Sequence, residues 1–158
     1  MIKIFFDGLC EPVNPGGIAT YAYVIYDEND KILGEGFGLA AEPYSSSSTN
    51  NVAEYAGLIC GLKNGLAYSK QAIVFGDSAL IIKQMKKEYR VRSRKLLPYH
   101  ECAEALSKMY EKINFFWVPR EENSRADQLT RIAYELFLSG KLIYKEFLEN
   151  CCSGFEKA

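Results

Sequence analysis

Short apolar runs separated by polar turns fill the first quarter of the chain, and longer helical periodicities take over after it. Residues 2–6, Ile2-Lys3-Ile4-Phe5-Phe6, read as a buried strand that Asp7-Gly8 ends. A loop rich in proline and glycine follows, Glu11-Pro12-Val13-Asn14-Pro15-Gly16-Gly17. Residues 18–26 are dense in β-branched and aromatic side chains, which suit a pleated surface. Asp27-Glu28-Asn29-Asp30 is a turn, and residues 31–39 form a third extended segment. Its Gly34, Gly36 and Gly38 fall on alternate positions, so one face is bare and open to close approach. The connections are short enough for an antiparallel meander.

The polar stretch Ser45-Ser46-Ser47-Ser48-Thr49-Asn50-Asn51 is loaded with residues that cap helices. It predicts a helix over 51–68, with Val52, Tyr55, Ile59, Leu62 and Leu66 on one stripe. Gly57, Gly61 and Gly65 make a second line beside it. Each glycine costs a helix about 1 kcal/mol relative to alanine, so three in register predict tight packing against another element. Residues 72–75 are a buried strand ended by Gly76-Asp77-Ser78. Helices are expected over 78–87 and 98–112, a fifth strand over 114–118, and a last helix capped by Asn123 with stripe Leu129, Ile132, Ala133, Leu136 and Phe137. The order βββ-α-β-α-α-β-α implies an α/β fold: a five-stranded mixed sheet, three antiparallel strands then two parallel, flanked by helices.

Composition narrows the function. The 158 residues are 48% hydrophobic and 25% charged, with a net charge of −1. That is one globular domain, and a globally cationic nucleic-acid coat is excluded. The basic residues are nevertheless concentrated: Lys86, Lys87, Arg90, Arg92, Arg94 and Lys95 stand against Glu88 alone, a pattern suited to phosphate backbones or to an ordinary solvated helix end. Five cysteines form no CxxC pair, so reduced thiols are expected. The single histidine, His100, has no Cys or His at ligand spacing, which removes zinc and most triad chemistry. Apolar runs are too short for a membrane span, and the first residues carry no basic leader; a cytoplasmic chain away from membranes is the expectation.

Four acids stand out by placement. Asp7 and Asp77 sit at the carboxyl ends of the first and fourth strands, where ligand sites collect in α/β sheets. Glu54 and Asp127 lie in the first turns of the first and last helices. Each alone has a structural account: an Asp-Gly turn, a cap, or an acid beside a helix N-terminus. If they converge, they repel one another, and a divalent cation relieves the repulsion. Carboxylate-only ligation favours Mg²⁺ or Mn²⁺.

These motifs resemble the type 1 ribonuclease H family over roughly residues 1–140. The likeness rests on Phe6-Asp7-Gly8 with Asn14-Pro15-Gly16-Gly17, on Thr49-Asn50-Asn51-Val52-Ala53-Glu54, on Gly76-Asp77-Ser78, and on Trp117-Val118-Pro119-Arg120 leading to Asn123-Ser124-Arg125-Ala126-Asp127. The compact form is most similar to the small archaeal and bacterial members. The resemblance implies a ribonuclease H-like catalytic domain over 1–140, a C-terminal extension over 141–158, and an endoribonuclease that cuts the RNA strand of RNA–DNA hybrids. It implies two Mg²⁺ (or Mn²⁺) ions, products with 5′-phosphate and 3′-hydroxyl ends, and a monomer.

By the same resemblance, Asp7, Glu54, Asp77 and Asp127 hold the metal, with Asp7 bridging both ions. Asn14, Asn50 and Asn51 meet the minor groove, Thr49 a DNA phosphate, and Cys10 the groove edge. Amides present a donor and an acceptor to a 2′-OH, which can do both. Capping and turn formation are the plainer account of the asparagines. Lys86, Lys87 and Arg90 are the expected backbone contacts. Two departures matter. The loop after the fifth strand lacks the histidine that many members carry, and Arg120 is the candidate substitute. Ala79 replaces a common glutamine, which points to tolerance of other RNA-containing duplexes. A non-catalytic hybrid-binding module and a DNA-cutting nuclease of the same superfamily are the competing readings. The segment Leu142-Ile143-Tyr144-Lys145-Glu146-Phe147-Leu148 is expected to dock on the domain, and Cys151-Cys152 to pair only if geometry allows.

Overall fold

The computed structural model describes residues 1–145 and Phe147. Five strands, β1 (Ile2–Glu11), β2 (Ile18–Tyr26), β3 (Ile32–Leu39), β4 (Gln71–Gly76) and β5 (Lys112–Trp117), form one sheet in the order β3-β2-β1-β4-β5. β1, β2 and β3 pair antiparallel, whereas β1–β4 and β4–β5 are parallel, as the element order predicts. The helices are α1 (Asn50–Gly65), α2 (Ala79–Met85), α3 (Leu97–Ser107) and α4 (Ser124–Leu138), with a 3-10 turn over Arg120–Glu122. Among these helices none is long and apolar enough to cross a membrane.

β1 outruns its predicted end. Asp7-Gly8 is not a turn, and the strand continues to Glu11 opposite β2. The parallel pairing with β4 does stop at Phe6, opposite Gly76. Asp7 therefore lies mid-strand for one neighbour and just beyond the strand's end for the other. Gly8 is required by proximity: a Cβ there would meet the Glu54 amide nitrogen and the Ala53 carbonyl carbon. The glycine lets α1 lie directly on β1.

The α1 glycines do what their spacing predicts. A Cβ on Gly57 would come within 2.7 Å of the Asp7 and Ala22 carbonyl oxygens, and one on Gly61 within 2.7 Å of Ile4 Cγ2. The predicted apolar stripe was too narrow, however. Every residue from Val52 to Leu62 is buried, because the sheet covers one side of α1 and α3 the other. α4 closes the opposite face of the sheet over β1, β2 and β3, and buried Thr20 Oγ1 donates to Thr130 O at 2.9 Å.

Three boundaries differ from the sequence reading. α2 ends at Met85, so the basic run lies in an exposed loop between α2 and α3 and not on a helix end. α3 stops at Ser107, and β5 begins at Lys112, within the expected helix. The expectation of reduced thiols fails at Cys102, which is disulfide-bonded, and holds at Cys10, a free thiol. Cys151-Cys152 lie outside the described residues. Phe147 is buried, stacked against Tyr99 at 6.1 Å and edge-on to Tyr21 at 5.3 Å.

Candidate active site

Asp7, Glu54 and Asp77 reach the same point from three elements. Each offers a carboxylate oxygen that lies within 4.8 Å of the other two. Asp7 comes from β1 as it leaves β4. Asp77 follows the last residue of β4, where Ser78 Oγ accepts from Ile81 N–H at 3.3 Å and turns the chain into α2. Glu54 arrives from the start of the second turn of α1, one residue further along than expected, because that helix begins at Asn50 and not Asn51. Thr49 fixes the start: its Oγ1 accepts from Val52 N–H at 3.1 Å.

Burial makes this gathering costly. Asp7 and Glu54 are 5% and 3% exposed. The Asp7 carboxyl is pushed up to about 7, first by burial and then by the Asp77 charge; the Gly8 N–H and a hydrogen bond with Glu54 offset part of this. Glu54 is driven well above the ordinary carboxylate range, again by burial first and by Asp7 and Asp77 next. Asp77 is raised by burial, against a lowering hydrogen bond from Asn123 and the Arg120 charge. Glu54 Oε2 is buried with no hydrogen-bond partner. A buried acceptor without a partner is expensive, and a cation is the partner that an oxygen-only donor set suits.

Asp127, in the first turn of α4, stands at the margin of this group. Its carboxylate faces two arginines, Arg120 Nη2 at 3.7 Å and Arg131 Nε at 3.3 Å. Its charge still reaches Asp7, where it adds to the upward push. Arg131 lies one turn after Asp127, and only that spacing would have marked it in the sequence.

Asn123 was read as a helix cap, and its side chain makes no capping bond. It is 1% exposed, and its Nδ2 donates to Phe6 O at 2.8 Å and Asp77 Oδ2 at 3.3 Å. One amide thus clamps the ends of β1 and β4 and orients Asp77. Trp117 adds a second tie, its Nε1 donating to Asp77 O at 3.2 Å. The signal for both was their place in the Trp117-to-Asp127 run that carries the family resemblance, which gave neither of them this role.

A polar wall adjoins the cluster. Asn50 N–H donates to Asn14 Oδ1 at 3.0 Å, and Cys10 Sγ donates to Val13 O and Ser48 O at 3.2 and 3.3 Å. Gly16 N–H to Ser48 O and Ser48 Oγ to Gly17 O tie the two loops together. Hydrogen bonds thus join the loops that carry Cys10, Asn14, Thr49 and Asn50, and Asn51 follows in the first turn of α1. The basic run is not gathered there. Lys86 and Lys87 line a groove beside β5, and Arg90 lines a hollow with Tyr89, Val91 and His100. Lys95 Nζ does donate to Ser46 O at 2.7 Å, which brings the basic loop against the segment leading to Thr49. His100 sits apart from the carboxylates, between Tyr55 and Glu104.

Comparison with known proteins agrees with this geometry. Residues 5–133 match the family described as reverse transcriptase-like. The N-terminal RNase H domain of Rv2228c from Mycobacterium tuberculosis, solved as a fusion with maltose binding protein, is 31% identical with a TM-score of 0.77, covering 89% of this chain and 99% of that one. The chain belongs to the type 1 ribonuclease H family. The ribonuclease H fold recurs in LC11-RNase H1, solved in complex with RNA/DNA hybrid, at 31% identity and a TM-score of 0.77 over 87% of this chain and 99% of that one. The bifunctional protein Rv2228c of M. tuberculosis is 35% identical over 123 residues, 77% of this chain. The chain spans about a third of the length of that relative and of its mycobacterial counterparts.

Proposed function

We propose that this ribonuclease H hydrolyses the RNA strand of RNA–DNA hybrids with two divalent cations, leaving 5′-phosphate and 3′-hydroxyl ends. The observation that carries the reading is the meeting of three carboxylates from β1, α1 and β4, two of them deeply buried and one oxygen of Glu54 unpartnered. The hybrid bound to LC11-RNase H1 supports the choice of substrate.

In this reading Asp7, Glu54, Asp77 and Asp127 hold Mg²⁺ or Mn²⁺. Bound there, such an ion supplies positive charge to the phosphodiester and acidifies water. The rest is the work of the chain. Asn123 holds the Asp77 carboxylate in a fixed orientation. Arg120, exposed beside Asp127, offers a mobile guanidinium to a substrate phosphate in place of the missing loop histidine. The wall of Cys10, Asn14, Thr49, Asn50 and Asn51 faces the minor groove, where neutral amides read the 2′-OH. Arg90, Arg92 and Arg94 draw in the phosphate backbone, so affinity falls steeply with salt. Residues 1–140 form the catalytic domain of a monomer, with 141–158 as its C-terminal extension, of which Phe147 packs against Tyr21 and Tyr99.

Cleavage of end-labelled hybrid tests the assignment, with wild type and Asp7→Asn compared in Mg²⁺, in Mn²⁺ and in chelator. Metal-dependent cuts within the RNA strand, lost in Asp7→Asn, are expected. Preferential cleavage of a four-way DNA junction would overturn the substrate. Binding of hybrid without cleavage in either metal would overturn the enzyme. An RNA–RNA duplex in Mn²⁺ tests the looser discrimination expected from Ala79, and complete resistance would refute it.

A further inference from the structure

Among the described residues β5 ends the sheet, with β4 its only strand neighbour. Along its outer side runs a groove of about 460 Å³, walled by the C-terminal ends of α2 and α3. Ile113, Asn114, Phe115 and Phe116 all line it, and they belong to both faces of the sheet, so the groove follows the strand's free edge. The backbone parity is set by two bonds: Val118 N–H donates to Gly76 O and Lys112 N–H to Lys70 O. Even-numbered residues thus turn their backbone groups to β4, and those of Ile113 and Phe115 point into the groove. Free strand-edge groups of this kind are a template for another strand.

The side chains say which strand. Met85, Ile113 and Phe116 give the groove an apolar lining, and Phe116 is 48% exposed. Lys86, Lys87 and Lys108 stand at the rim, Lys86 in an ion pair with Glu88 at 3.3 Å. Glu104, the acid on the wall, is engaged by His100 Nε2 at 3.0 Å. We propose that this groove binds an extended acidic segment of a partner protein by strand addition to β5, with alternate apolar side chains on the face of Phe116 and the intervening carboxylates on the helix side, against Lys87 and Lys108. A nucleic-acid backbone would use the lysines but neither the strand-edge amides nor the apolar lining. The site is separate from the carboxylate cluster and stands whether or not the chain cuts hybrids.

The probe is a fluorescein-labelled octapeptide alternating Asp with Ile and Phe, titrated with the full chain and read by fluorescence anisotropy. Saturable binding with a Kd on the order of tens of micromolar is expected for so short an interface. Lys108→Glu, a fully exposed change checked for folding by circular dichroism, should weaken it about tenfold or more, and so should methylation of alternate peptide amides. Excess RNA–DNA hybrid in chelator should leave the peptide bound. Equal affinity for the methylated peptide, or for Lys108→Glu, overturns strand addition at this edge. Displacement by hybrid assigns the groove to nucleic acid instead. No saturation up to about 1 mM leaves the lysines as guards against edge-to-edge association and overturns the proposal as well.

Discussion

Glu54 and Tyr55 are neighbours on α1, both buried, and their surroundings are opposites. Tyr55 sits in a completed network: its hydroxyl donates to Gln84 Oε1 at 2.5 Å and meets His100 Nδ1 at 3.1 Å, while His100 Nε2 reaches Glu104 Oε1 at 3.0 Å. Glu54 faces two further acids and keeps one oxygen without a partner. Successive residues of a helix point about 100° apart, so one helix delivers a satisfied group to the α1–α3 contact and an unsatisfied one to the sheet. The satisfied group stabilises the native state. The unsatisfied group lowers its stability until a cation arrives, and that cost is the mark of a site built for something absent from the chain itself.

Removing one acid should separate the two roles most sharply. Asp7→Asn is expected to lower hybrid cleavage by on the order of a thousandfold, the scale of losing one preorganised electrostatic group. The same change should stabilise the metal-free protein at neutral pH, because it deletes a charge that burial and Asp77 oppose. Cleavage assays and thermal melts in chelator read both effects. Activity and metal-free stability falling together would mean that Asp7 is a structural acid after all.

The pH dependence of stability carries the same contrast. Asp7 is pushed up to about 7, and Glu54 and Asp77 are raised as well. A raised folded-state pKa means that the native state holds its protons more tightly than the unfolded chain. The resulting stabilisation is full below the unfolded value, about 4 for a carboxylic acid, and is lost as pH climbs through the folded value. Metal-free melting temperature should therefore fall between about pH 4 and pH 8 from this cluster, by the equivalent of a few kcal/mol. Saturating Mg²⁺ should flatten the fall. Identical profiles in Mg²⁺ and chelator would show that the cluster takes no ion.

Tyr55→Phe tests the other half. It leaves Gln84 and His100 each short of a partner, at a cost of roughly 1–3 kcal/mol, and should shift the chemical-denaturation midpoint. Hybrid cleavage below the melting transition should change by no more than about twofold. A large loss of activity with little loss of stability would join the two regions into one functional unit.

This division explains how much the sequence disclosed. The mixed five-stranded sheet and the order of helices and strands were legible because burial imposes a periodicity on every element, and the α1 glycines announced a close contact whose partner, β1, only the structure names. Asp7, Glu54 and Asp77 were legible because acids framed by apolar residues have few reasons to be there. Asn123 was not, since an asparagine before a helix has a sufficient local explanation in capping, and only the distant Phe6 carbonyl reveals its other use. The end of β1 was misplaced for a related reason. Asp-Gly is a turn signal by local chemistry, but here the glycine answers to α1 lying across it. Features set by contacts far along the chain leave no local trace.

The smallest expected effect concerns the two arginines on Asp127. Both are exposed, and exposed ion pairs contribute only about 0–1 kcal/mol, so neither Arg120→Ala nor Arg131→Ala should move the melting temperature by more than a degree or two. They differ in reach. Arg131 is held one turn along the same helix, at 3.3 Å from Asp127 Oδ2, whereas Arg120 comes from the 3-10 turn and its charge also lowers Asp77. A guanidinium serving substrate phosphate should therefore be the one at Arg120. Its loss is expected to cut kcat by about fivefold to tenfold, within the range of one hydrogen bond of ordinary strength at an exposed site, while Arg131→Ala stays within about twofold of wild type. Restoration by Arg120→Lys would mark charge as the requirement, and continued loss would mark the planar fork. Equal, small losses in both alanine variants would mean that each arginine merely screens Asp127, and that the role of the missing histidine is filled elsewhere or not at all.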